Sequence, residues 1–142
     1  MLSILLPVYN CNCVALVTEL QRQCTECGTD FEIIVADDCS SVASYIEHNL
    51  RIERLDGVRY ITRKQNVGRS AIRNFLISQA QGEWLLFIDG DLTLDNPHFI
   101  RRYLQTKSNV VVGGIRIGGD PDIWKDNLRY RYEKAYEQKN TP

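Results

Sequence analysis

Three times in its first 91 residues the chain runs through a block of apolar residues and stops on polar or acidic neighbours. Residues 2–8 (Leu-Ser-Ile-Leu-Leu-Pro-Val) stop at Tyr9-Asn10, Phe31 to Ala36 at Asp37-Asp38, and Glu83 to Ile88 at Asp89-Gly90-Asp91. Continuous apolar runs of this length read as strands buried on both faces. The stretches between them change period. Val14, Leu16, Val17 and Leu20 predict a helix over 14–25, and Tyr45, Ile46, Leu50 and Ile52 another over 42–54. Val58 to Thr62 reads as a short strand, and Asn66-Val67-Gly68 opens a helix from about Arg69 to Gln81 that Gly82 closes as a C-cap. Further on, Asn96-Pro97 starts a helix with proline in its first turn, Val110 to Val112 reads as a fifth strand, and 121–138 as a charged helix.

Strands alternating with helices imply parallel βαβ units in an open, doubly wound sheet. Ligands in such sheets bind beyond the carboxyl ends of the strands. The fold would therefore gather Tyr9-Asn10, Asp37-Asp38 and Asp89-Asp91 along one edge.

At 142 residues the chain is long enough for one domain with a real core. A formal net charge of −1 gives no footprint for nucleic acid, so the local cluster of Arg51, Arg54, Arg59, Arg63, Arg69 and Arg73 points to a small anionic ligand. Met1 leads straight into the first strand without a signal peptide's charged and apolar regions, and no stretch has a membrane-spanning length. The expectation is a cytoplasmic protein with reduced thiols, its full-length parent peripheral at the inner face of the cell membrane. Cys11, Cys13, Cys24 and Cys27 fall within 17 residues, a density that suggests zinc. Because Cys24 and Cys27 lie in a helical pattern, incidental buried thiols are the preferred reading.

Asp89-Gly90-Asp91 carries the strongest chemical signal. Two carboxylates at the mouth of a strand suit Mg²⁺ or Mn²⁺, or divide between metal and ribose, and the glycine lets backbone approach a ligand. The plain alternative is a turn, which Asp-Gly favours. Asp38 follows a strand too, where it can accept from a nucleobase N–H or a ribose hydroxyl while Ser40 or Ser41 caps the next helix. Tyr9 is placed to stack on that base, and Pro7 stiffens its approach. Around Asn66, Gly68 offers a helix start to an anion, and Arg69 and Arg73 share the face that follows. The ordinary fate of such an arginine pair is a solvated basic face. Neither a Walker loop nor G-x-G-x-x-G is present.

Taken together, Ser3 to Asn10, Glu32 to Ser40, Asn66-Val-Gly68 with Ala71 to Asn74, and Gly82 to Asp91 resemble the inverting family 2 glycosyltransferases of GT-A fold. The match covers about residues 1–115. The resemblance implies a Rossmann-like three-layer sandwich with a mostly parallel sheet, incomplete on the acceptor side. It divides the chain into a nucleotide-sugar-binding part, 1–115, and the start of an acceptor-side region, 116–142. It implies that Tyr9 and Asp38 contact the base, Asp89 the ribose or metal, and Asp91 the Mn²⁺ or Mg²⁺, with Arg73 near the nucleotide. Cys39 stands where the family usually has glycine or asparagine. The family's catalytic base has no match here and is expected beyond Pro142, so that the chain reads as cut before its acceptor half. Glu133 and Glu137 are not assigned that role.

The expected reaction is transfer from a nucleoside-diphosphate sugar, most commonly a UDP-sugar, to a hydroxyl of a saccharide or lipid-linked acceptor, with inversion. The piece would bind donor without transferring sugar. An uncovered apolar side of the terminal helix (Ile123, Trp124, Leu128, Tyr132, Tyr136) suggests pairing with a second copy or with further chain. Two rival classes are a metal-dependent nucleotidyltransferase and a non-catalytic Mg²⁺-binding regulatory module. The first needs a Gly-rich basic loop after strand one, where Tyr9 to Cys13 has neither glycine nor lysine. The second needs an acceptor aspartate after strand three and a lysine after strand five, and Ile61-Thr62 and Val112-Gly113 supply neither.

Overall fold

The computed structural model describes residues 1–106, 108–111, 113 and 120–137. Every residue of β1 (Leu2–Val8) except Pro7 is buried, because this strand lies inside the sheet and is covered on both faces. It pairs in parallel with β2 (Phe31–Asp37) on one side and β4 (Trp84–Phe87) on the other, and β2 pairs with β3 (Val58–Thr62). The order is β3-β2-β1-β4.

Alternation along β1 and β2 splits the core into two halves. Leu2, Ile4, Leu6, Val8, Ile33 and Val35 face the layer of helix α1 (Val14–Cys27) and α4 (Phe99–Gln105), while Leu5, Ile34 and Ala36 face α3 (Arg69–Gln79) through Ile72 and Leu76. Each fully buried Leu or Ile contributes roughly 1.5–3 kcal/mol of apolar burial. Helix α2 (Ala43–Asn49) runs on into a 3₁₀ turn over Leu50–Arg54, whose Ile52 joins the α1 side. With helices on both faces, the crossover changes sides between β1 and β4, which makes that gap the switch point of the sheet.

Several local expectations change. Among the described residues the fourth strand is the edge of the sheet and not its interior, with Trp84 51%, Leu85 41% and Phe87 39% exposed. Its apolar run reads as interior only while its place in the strand order is unknown. Gly82 does not cap α3, which ends at Gln79 with Ala80 in extended conformation. Glycine is needed there because a Cβ would lie 2.5 Å from Ser3 Oγ and 2.7 Å from its backbone nitrogen. Pro97 precedes α4, and Asn96 Oδ1 accepts the His98 amide at that entry. Val110 and Val111 form no strand, and Val112 lies outside the described residues. The expected helix over 121–138 is broken into α5 (Pro121–Trp124), α6 (Leu128–Tyr132) and a π-turn over Glu133–Glu137, residue 138 being outside the described residues. Asn127 stops the run because its side chain caps α6 by accepting the Tyr130 amide.

The chain divides into two compact units, Met1–Gln105 and Thr106–Pro142. Among the described residues no helix is long and apolar enough to cross a membrane.

Candidate active site

The strands end together at Val8, Asp37, Thr62 and Phe87, and the loops that leave them are tied to one another by side chains. Asp38 is 5% exposed and its amide donates to Val8 O at 2.9 Å. Its Oδ1 accepts the Val67 amide at 2.9 Å and its Oδ2 the Gly68 amide at 2.8 Å. These bonds revise the reading of the Asn66-Val-Gly68 loop. The two amides are not open to a ligand anion, because the protein's own carboxylate occupies the entry to α3, where the helix end favours negative charge. Gly68 is required by its φ of 84°, with open space around it.

One turn after the helix starts, Arg73 faces the end of β4. Its Nη2 donates to Asp89 Oδ1, and its Nη1 to Arg69 O at 3.2 Å. Asp91 makes no hydrogen bond or ion pair among the described residues. Between the two carboxylates, Gly90 presses on the end of β1. A Cβ there would lie 2.7 Å from Val8 Cγ2, 3.2 Å from Pro7 O and 3.6 Å from Cys11 Sγ. The glycine thus permits close approach, but to the protein's own backbone. A circuit results: Val8, Asp38, Gly68, α3, Arg73, Asp89, Gly90 and back to Val8. Tyr9, 50% exposed, stands at its rim, Asn66 is exposed beside it, and Pro7 is half-buried.

The other loop residues are used differently from expectation. Neither Ser40 nor Ser41 caps α2, whose N-cap is Val42 without a side-chain bond. Ser40 Oγ instead accepts the Asn10 amide at 2.8 Å, and Asn10 Oδ1 accepts the amides of Ser41 at 2.9 Å and Val42 at 3.2 Å. The loops after β1 and β2 are therefore one unit. Each carries a residue in left-handed conformation, Asn10 at φ 49° and Cys39 at φ 63°, the two non-glycine cases among the described residues. Such a backbone costs on the order of 1 kcal/mol or more and persists where its surroundings enforce it. It also gives the physical reason for glycine or asparagine at the position of Cys39.

Beneath these loops lies a buried polar set that the sequence reading missed. Asp37, fully buried, accepts the Ser40 amide at 2.6 Å and the Tyr60 hydroxyl at 2.5 Å. Asn49 Oδ1 accepts the Cys13 amide at 3.0 Å and its Nδ2 donates to Cys11 O at 2.9 Å. Burial first, and then the bond to Asp37, push the Tyr60 phenol above its ordinary pKa, so it stays a donor. The available signal was a tyrosine at an inward position of β3, since a buried tyrosine hydroxyl takes a partner. Cys13 and Cys24 are core side chains, and burial raises each thiol to about 12.

Asp89 and Asp91 offer oxygen alone, which suits a hard divalent cation. No group of three or more possible ligands forms among the described residues. Two carboxylates nevertheless fit Mg²⁺ or Mn²⁺, since such ions complete their shell with substrate phosphates and water.

A parallel 3-2-1-4 sheet with acidic loops at its switch point defines a Rossmann-like unit. The chain belongs to glycosyl transferase family 2, whose model matches residues 3–142. It is 34% identical over 93 residues to an uncharacterised glycosyltransferase of Haemophilus influenzae, covering 64% of this chain and 29% of that protein. Identity to the poly(ribitol-phosphate) β-glucosyltransferase of Bacillus spizizenii is 33%, covering 76% of this chain and 17% of the relative. Among solved structures, S. aureus TarS 1–349 in complex with UDP-GlcNAc matches with TM-score 0.60 and 26% identity, over 72% of this chain and 30% of that one. The fold is therefore that of the GT-A glycosyltransferases, and the chain spans less than a third of the length of these relatives. Family membership decides against the nucleotidyltransferase and regulatory-module readings.

Proposed function

We propose that this chain supplies the donor site of a glycosyltransferase that takes sugar from a nucleoside-diphosphate sugar, a UDP-sugar first among them, and passes it to a hydroxyl of a saccharide or lipid-linked acceptor with inversion. The observation that carries this reading is the circuit joining Asp38, Arg73 and Asp89 around the β1/β4 switch point, with Tyr9 and Asp91 next to it in sequence. The UDP-GlcNAc in the TarS complex supports uridine as the base. Tyr9 is the stacking surface. Each oxygen of Asp38 already accepts one amide and keeps a second lone pair, enough for a base N–H. Pro7, Asn66 and Gly68 shape the rim of that subsite.

Arg73, with Asp89 as its partner, faces the diphosphate, and Asp89 serves the ribose or the cation. Asp91 is the principal ligand for Mn²⁺ or Mg²⁺. When bound, the ion neutralises charge that develops on the leaving diphosphate. The catalytic base is assigned to no residue of this chain. Glu133, the late acidic residue whose side chain is described, is ion-paired to Arg129. The nucleotide-sugar part is read as 1–115 and the start of the acceptor side as 116–142. On the same reading the protein works in the cytoplasm, at the inner membrane face when its acceptor is lipid-linked.

The test is calorimetric titration of UDP with Mn²⁺, with EDTA, and with Asp91→Asn. Metal-dependent binding that Asp91→Asn removes is the expected result. A folded protein that binds neither UDP, GDP nor TDP with any divalent cation overturns the reading.

A further inference from the structure

Resting on the donor-site reading, we propose that Tyr60 is a positioning residue for the nucleoside subsite, holding through Asp37 and Ser40 the two left-handed turns that present Tyr9 and Asp38. Tyr60 lies on β3, with two strands between it and β4, and its side chain is buried on the α1 side of the sheet. The chain of bonds is continuous: Tyr60 hydroxyl to Asp37 Oδ2 at 2.5 Å, Ser40 amide to Asp37 Oδ1 at 2.6 Å, Asn10 amide to Ser40 Oγ at 2.8 Å. The middle link spans Asp38 and Cys39, so it closes a turn around the left-handed residue at φ 63°. The last link fixes the backbone next to Tyr9, where Asn10 is the second left-handed residue, at φ 49°.

The carboxylate of Asp37 accepts from two groups, the phenol of Tyr60 and the amide of Ser40, and among the described residues no basic side chain pairs with it. Of these two, the hydroxyl of Tyr60 can be removed by substitution with the backbone left intact. Without it, one carboxylate oxygen loses its donor in a site closed to water, and Asp37 re-orients at the expense of the Ser40 bond. The turn at Cys39 is then no longer enforced. The Asp89-Gly90-Asp91 loop is held by Arg73 and by Gly90 against Pro7, Val8 and Cys11, and none of these contacts passes through Tyr60. The effect is therefore largest on the base side of the donor.

The experiment compares the chain with Tyr60→Phe, Cys39→Gly and the double variant, by ¹⁵N–¹H amide spectra and by UDP titration at saturating Mn²⁺. Tyr60→Phe is expected to move or broaden amides of residues 9–11 and 37–42 more than those of 89–91. UDP affinity should fall roughly three- to tenfold, the equivalent of one such bond in part expressed. The Mn²⁺ concentration that half-saturates the UDP-loaded protein should stay constant. Cys39→Gly alone should bind as the parent does, and in the double variant it should restore affinity, because glycine adopts the left-handed turn unaided. Spectra and affinity unchanged in Tyr60→Phe overturn the proposal. Changes spread across the whole sheet with a shifted Mn²⁺ half-point overturn it as well, since they mark a merely structural role. Absence of UDP binding by the parent overturns the donor reading, while the amide spectra of Tyr60→Phe still decide whether this chain of bonds controls the two loops.

Discussion

The guanidinium of Arg73, on the first turns of α3, donates to the carboxylate of Asp89 at the end of β4, and so ties the helix on one face of the sheet to its acidic loop. The side chains are 35% and 57% exposed, so the pair adds at most about 1 kcal/mol to stability. Its consequence is electrostatic: a cation is held beside Asp89, at the place proposed for the donor diphosphate.

Arg73→Gln should accordingly separate binding from folding. UDP affinity in Mn²⁺ is expected to drop about tenfold, by loss of a charge-assisted contact, while unfolding free energy changes by less than about 1 kcal/mol. Calorimetry and urea denaturation on the same sample check both halves.

Gly90→Ala tests the contact with β1. Its Cβ would fall 2.7 Å from Val8 Cγ2 and 3.2 Å from Pro7 O, so the strand end or the loop must move. A loss of about 1–3 kcal/mol is expected from such overpacking, together with loss of metal-dependent UDP binding. Gly28→Ala is the control, since Gly28 caps α1 at φ 63° with open space around it, and it should lower stability by about 1 kcal/mol without touching binding.

Asp38→Asn leaves one acceptor oxygen for two amides, those of Val67 and Gly68. The unsatisfied amide costs about 1–3 kcal/mol. Hydrogen exchange at Val67 and Gly68 should accelerate selectively, and UDP affinity should fall with it.

Alkaline pH should expose the buried thiols. Cys13 and Cys24 titrate near 12 because of burial, above the ordinary value of 9.0 that an unfolded chain restores. A folded-state pKa raised in this way contributes stability that is whole below about 9 and is lost as pH climbs toward 12. Urea midpoints should therefore decline between pH 9 and 12, and Cys13→Ala with Cys24→Ala should flatten that decline. At pH 8 an aromatic disulfide reagent should spare these two cysteines until urea is added.

Most of the framework was legible in the sequence because a single physical pattern repeats. Runs such as Leu2–Val8 and Phe31–Asp37 can be so apolar only where both faces are covered, and the polar residues that stop them mark the strand ends. Strand order is a different matter. Nothing in Trp84-Leu-Leu-Phe87 states that it pairs with β1 and is the outermost strand among the described residues, since that pairing joins it to residues some 80 positions away. The site residues were found as types, yet their partners were not. Asp38 reads as a ligand-binding carboxylate, and only the packing of α3 against the sheet reveals that it first satisfies Val67 and Gly68. Backbone conformation was equally hidden: asparagine at 10 permits a left-handed turn, but cysteine at 39 does not suggest one. The Tyr60–Asp37 bond stayed invisible because it joins neighbouring strands through a register that only β-pairing establishes.

Strand β4 also has a bearing on how the molecule behaves in a tube. Among the described residues no strand lies along its outer side, so a row of peptide groups is left facing outward, flanked by the rings of Trp84 and Phe87. Such a row is a template on which any extended polypeptide gains hydrogen bonds without having to fold first. A lysine in place of Leu85 is therefore expected to slow concentration-dependent association of the isolated chain, which light scattering would register.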